Sequence, residues 1–112
     1  MNKNLFYIVD VFAEKKYAGN QLAVFCQAGD FTDEEMQTLT QEMHFSESTF
    51  IISQKKEDGG YPVRIFTPEA EVPFAGHPTL GTAHVIRTFI APTQEEEIVL
   101  KYKAGNIPVI YQ

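Results

Sequence analysis

The sequence predicts an α+β fold in which a curled, mostly antiparallel β-sheet or barrel wraps a central helix, with one further helix on the surface. Two observations carry this. About six short apolar segments, bounded by turn residues, have the β-branched and aromatic content of strands. Of two helical segments, one shows a single apolar stripe and the other is apolar almost all round, which is the pattern of an enclosed helix. At 112 residues the chain is expected to form one domain.

The elements follow in order. LFYIVDVFA (5–13) reads as a mostly buried strand, Gly19-Asn20 as a turn, and QLAVFC (21–26) as the returning strand. FTDEEMQTLTQEMHF is helical: Thr32 and Glu35 have capping-box spacing, and Asp33 and Glu34 sit where the helix dipole favours acids. Met36, Leu39 and Met43 fall at i, i+3 and i+7, a stripe for packing. STFIIS (48–53) and YPVRIFT (61–67) are strands about the polar turn KKEDGG, with Val63 and Ile65 on one face. A Pro-rich loop, 68–77, leads to PTLGTAHVIRTFI (78–90), with Pro78 expected at the first helical position and His84 as a hydrogen-bonded core residue. The last segment reads as a hairpin turning at Ala104-Gly105-Asn106.

Composition excludes several function classes. Nine basic residues against fifteen acidic give a net charge of -6, and the two Lys-Lys pairs are isolated, which argues against nucleic-acid binding. The apolar N-terminal run is broken by Asp10, lacks a small-residue cleavage site and is too short to span a bilayer. A single cysteine, Cys26, suits a reducing compartment, so the cytoplasm is expected. Cys26 follows an apolar strand and reads as a small buried hydrophobe rather than a reactive thiol. His44, Glu47, His77 and His84 lack the spacing of a metal site, and Ser46 and Ser48 lack a nucleophile elbow. No metal is expected.

Two stretches remain. In FAGHP, Gly76 and His77 fall just before a helix N-terminus, where free amides and the helix dipole attract anions. Gly76 lets a ligand approach the main chain, and His77 titrates near neutral pH. A tight turn alone would explain the same residues. In HFSESTFI, Glu47 lies between Phe45 and Phe50, and partial desolvation would suit it to carry a proton. Equally, Glu47 could be a solvated loop residue, or share hydrogen bonds with Ser46 and Ser48.

GNQLAVF, SESTFI and RIFTPEAEVPFAGHPTLGTA, in that order and spacing, resemble the N-terminal half of the phenazine-biosynthesis-like PhzF isomerases, of the diaminopimelate-epimerase-like fold. The resemblance implies a cofactor-independent site in a cleft between two similar halves, each a sheet around a helix. It implies Glu47 as the acid–base residue moving a proton between carbons, with His77 assisting. Gly76, Ser46, Asn20 and Pro78 are implied as substrate-binding residues, the helix N-terminus holding a substrate carboxylate. Related racemases carry a cysteine where this chain has Glu47, which favours the isomerase branch. Family members are well over twice as long, so residues 1–112 are expected to equal one half and to need a second half or a homodimer to close the cleft. The isolated chain is then expected to be inactive. The competing expectation is a non-catalytic module of the same fold that binds a small acid or serves assembly.

Overall fold

The computed structural model of the chain describes residues 5–11, 20–91 and 96–110; the side chains of Val11, Asn20 and His77 are outside that set. Seven strands lie among the described residues: β1 (Phe6–Val11), β2 (Asn20–Phe25), β3 (Glu47–Ile51), β4 (Tyr61–Phe66), β5 (Glu71–Val72), β6 (Glu97–Tyr102) and β7 (Gly105–Ile110). The helices are α1 (Asp33–Met43) and α2 (Gly76–Val85). The sheet runs β1-β2-β3-β4-β6-β7, with β5 also pairing with β4. The β1–β2, β3–β4, β4–β5 and β6–β7 ladders are antiparallel. The β2–β3 and β4–β6 ladders are parallel, because α1 and α2 respectively intervene in the chain and carry it back to the starting end.

Strand alternation sends successive side chains to opposite faces, and both faces of the middle strands are covered. Leu22, Val24, Ile51, Val63, Ile65, Ile98 and Leu100 face α2 and pack with Ala83, Val85 and Ile86. Ala23, Phe25, Phe50 and Phe66 face α1 and pack with Met36. The predicted stripe holds, since Leu39 and Met43 rest on this second cluster. So does the capping box: Glu35 N donates to Thr32 Oγ1 at 3.1 Å and Thr32 N to Glu35 Oε1 at 2.8 Å. Cys26 is buried as expected, and burial pushes its thiol up to about 11.

Several expectations are corrected. The helix begins at Gly76, two residues early, with Pro78 third, because no residue of the first turn needs its N–H for the helix. The Pro-rich loop is interrupted by β5. The hairpin turns on Lys103-Ala104, since Gly105 and Asn106 already pair with Tyr102 and Lys101. Nor is the helical segment enclosed all round: Leu80 in α2 and Phe89 just beyond it are exposed, and His84 is a surface residue rather than a core one. Positions 80, 84 and 88 share one helix face, and all three are exposed. After Val85 the chain widens into one π-type turn, Ile86–Ile90, where Ala91 N reaches Ile86 O at 2.8 Å. The turn expected at Gly19-Asn20 and the end of the first strand (12–13) lie outside the described residues.

An ion-pair network ties α1, β4, β5 and the β6–β7 turn together. Arg64 grips Glu71 with two hydrogen bonds of 2.7 and 2.8 Å and reaches Asp33 at 2.8 Å, while Lys103 reaches Glu71 at 2.8 Å. The Arg64 guanidinium, then Lys103, hold the Glu71 carboxyl below its ordinary value against the opposing effect of burial. Folded Glu71 therefore releases its proton more readily than unfolded Glu71. The stabilisation is complete above about 4.5 and is lost as pH falls through the lower, folded-state value. Glu71→Gln should cost about 1–2 kcal/mol at neutral pH. It should also flatten the acid limb of a plot of thermal midpoint against pH, and a limb as steep as the parent's would contradict this assignment.

Candidate active site

The parallel register of β3 on β2 places Glu47 opposite Leu22, and the antiparallel register with β4 places Ser48 opposite Phe66. Glu47 thus opens β3 at the end of the sheet where β4 finishes. The chain leaves β4 there, turns over Thr67–Ala70, forms β5 and enters α2. Ala104 N, in the turn after β6, donates to Pro73 O at 3.3 Å, so the approach to α2 also meets the end of β6, which runs parallel to β4. Glu47 and the first turn of α2 stand at the same end of the sheet.

Alternation along β3 gives Glu47 the same face as Thr49 and Ile51, the face that α2 covers. Glu47 is half-buried, while Ser46, just before the strand, is exposed. Ser48 faces the other way and is fully buried, its Oγ without a hydrogen-bond partner among the described residues. The reading in which Ser48 shares hydrogen bonds with Glu47 is therefore overturned. A buried unpaired hydroxyl is destabilising by about 1–3 kcal/mol. Ser48→Ala should raise stability by up to about 1 kcal/mol in urea unfolding; a loss greater than that would show that the hydroxyl is in use.

At the start of α2 the N-cap is Ala75, which has no side chain to satisfy the free amides. The Gly76 and His77 amides belong to this first turn, whose cap residue makes no side-chain hydrogen bond, and Pro78 has no N–H. Gly76 is exposed, and among the described residues a Cβ built on it would meet only Phe74 Cζ, at 3.9 Å. Pro78 is buried. The side chains of His77 and Asn20 lie outside the described residues, although Asn20 pairs through its backbone with Val11. Among the described residues no three His, Cys, Asp or Glu side chains converge as a metal site would require, and no helix is long and apolar enough to cross a membrane.

Sequence reasoning missed the polar contacts holding α2 in place. Thr49 and Thr82 hydroxyls lie 2.8 Å apart, fully buried, and those of Thr79 and Tyr102 are 2.9 Å apart. Burial pushes Tyr102 up to about 12 against the opposing Thr79 bond, so it stays protonated. The signal was present: Thr79 and Thr82 are hydroxyl residues in a mostly apolar stretch, three apart and hence on one helix face.

The curled α+β sheet packed on α2 defines the class of fold. Solved PhzF-family structures have the same fold: one from Enterococcus faecalis matches 96% of this chain and 40% of its own with TM-score 0.83 at 34% identity. One from Bacillus anthracis matches 98% of this chain and 36% of its own with TM-score 0.84 at 29% identity. The chain belongs to the phenazine biosynthesis-like protein family (PhzC-PhzF), whose family model matches residues 9–112. It is 41% identical over 103 residues to a trans-2,3-dihydro-3-hydroxyanthranilate isomerase of Pseudomonas aeruginosa, covering 92% of this chain and 36% of that protein. It is 38% identical over 109 residues to an uncharacterized isomerase of Pasteurella multocida, covering 91% of this chain and 38% of that one. The chain thus spans little more than a third of the length of these relatives.

Proposed function

We propose that this chain supplies one wall of the active-site cleft of an isomerase that moves a proton between carbons of a small carboxylate-bearing metabolite. The observation that carries the proposal is the placement of Glu47, half-buried at the start of β3 on the face that meets α2. The Glu47 carboxylate takes a proton from one carbon, the electron pair of that C–H bond delocalises into an adjacent unsaturated system, and the carboxyl, free to exchange its proton with solvent, delivers one proton to a second carbon. Atoms and charge balance without an oxidant or reductant. The amides of Gly76 and His77 hold the substrate carboxylate at the positive end of α2. His77 assists the proton transfer, and Ser46, Asn20 and Pro78 line the binding region. The opposite wall comes from another part of the protein or from a second copy of it.

The relative's name makes trans-2,3-dihydro-3-hydroxyanthranilate the first probe. The protein at its native length is incubated with this probe in D2O containing a chelator and followed by proton NMR. Deuterium entering a carbon position as the isomer forms supports the proposal. Saturable binding with neither exchange nor isomer, for this probe and a panel of related unsaturated acids, would replace it with the reading of a non-catalytic small-acid binding module.

A further inference from the structure

Two hydroxyl relays run from the sheet into the first turns of α2. Thr79 Oγ1 donates to Ala75 O at 2.9 Å, and Thr82 Oγ1 donates to Pro78 O at 2.7 Å. Each threonine has a single proton, and a carbonyl can only accept it. The neighbouring hydroxyls must therefore be the donors: Tyr102 to Thr79 at 2.9 Å and Thr49 to Thr82 at 2.8 Å. Tyr102 ends β6 and Thr49 lies in β3, so two strands grip the helix. The carbonyls reached, of Ala75 and Pro78, bracket Gly76 and His77. All four side chains are buried, where a hydrogen bond is shielded from water and a lost one is not replaced.

From this geometry we infer that Thr49, Thr82, Thr79 and Tyr102 are positioning residues that fix the Gly76–His77 turn relative to Glu47. Thr49 is central, because it sits two residues from Glu47 on the same face of β3 while bonding to α2. One bond ties the strand carrying the proton carrier to the helix whose amides receive the carboxylate. The inference rests on the isomerase reading for its catalytic consequence but not for its geometry. A misplacement of about 1 Å between such groups is enough to cost roughly 100-fold in rate.

The test uses Thr49→Val, which keeps the shape and loses the hydroxyl, and Thr49→Ser, which keeps the hydroxyl and loses the methyl. Thermal unfolding is recorded for both, and all comparisons are made well below either midpoint. Thr49→Val should lower kcat for the probe above by at least tenfold, and Thr49→Ser should restore it to within about threefold. Backbone order parameters at Gly76 and His77, measured by nitrogen-15 relaxation without substrate, should fall from about 0.85 towards 0.6 in Thr49→Val alone. Met36 in α1 serves as the unaffected control. Tyr102→Phe should raise KM about tenfold through the other relay, and it carries the test should Thr49→Val not fold. Unchanged order parameters in Thr49→Val or, failing that variant, in Tyr102→Phe would overturn the inference, and so would a loss in Thr49→Ser as large as in Thr49→Val. The two claims fail separately: neither exchange nor isomer from the parent protein would defeat the isomerase reading, wild-type turnover in Glu47→Gln would remove Glu47 from the chemistry, and the order parameters judge the relays independently.

Discussion

Glu47→Gln should leave the fold intact and lower the rate of carbon–deuterium exchange by about 10²–10⁴-fold, the usual contribution of a positioned general acid–base. Glutamine has the shape and size of glutamate and still makes hydrogen bonds, but it cannot take up and return a proton at neutral pH. Glu47 makes a discriminating site for this change, because it begins β3 rather than lying inside it. Its backbone register with Leu22 does not depend on the side chain. Urea midpoints of the two proteins should agree within about 0.5 kcal/mol, as expected of a substitution outside the packed core. Glu47→Asp, one methylene shorter, should retain partial exchange, because the group can still ionise but is drawn back from the substrate. A Gln variant within tenfold of the parent would remove Glu47 from the chemistry and leave His77 as the residue to test.

Phe50→Ala should have the largest effect on stability, a loss of about 3–5 kcal/mol. Phe50 is fully buried at the centre of the α1-facing cluster. Its ring stacks on Phe25 at 4.8 Å and meets Phe66 edge-on at 5.4 Å and Phe31 at 6.3 Å. Offset and edge-to-face pairs of this kind add about 0.5–1.5 kcal/mol each beyond the area they bury. Removing the ring leaves a cavity bounded by the sheet on one side and α1 on the other, neither of which can move in without breaking ladder hydrogen bonds. A loss of this size is a large part of the 5–15 kcal/mol that holds a typical domain folded. Urea unfolding gives the measurement, and a loss under 1 kcal/mol would show that the aromatic cluster rearranges to fill the space. Phe50 is also three residues from Glu47 in the same strand, so a tolerated Phe50→Leu should lower catalytic rate more than its modest stability loss alone would suggest.

Local signals in this chain were legible because the physics that sets them is local. Thr32 and Glu35 mark the start of α1 through bonds spanning three residues. The Met36–Leu39–Met43 stripe fixed which side of α1 is covered. Alternation gave the shared face of Val63 and Ile65, and the apolar context of Cys26 gave its burial. Glu47 and the Gly76–His77 turn stood out for the same reason, as polar or conformationally special residues set where the surrounding pattern gave no structural need for them.

What failed to show depended on elements far apart in the chain. His84 looked like a core residue because its helix is apolar around it, yet only the three-dimensional course of the sheet decided that positions 80, 84 and 88 face outward. Proline at position 78 marked the first helical turn but not its first residue, since any position in that turn accepts a missing donor. The parallel joins of β2 with β3 and β4 with β6 are set by where α1 and α2 deliver the chain. The sequence by itself determined most of the strands and both helices, the covered stripe of α1, and which residues are candidates to carry a proton or receive a carboxylate. Only the tertiary structure placed Glu47 and α2 at one end of the sheet and joined them through Thr49 and Thr82, residues 33 positions apart. Periodicity reports what each segment buries; the partner it buries against is settled only when the whole chain packs.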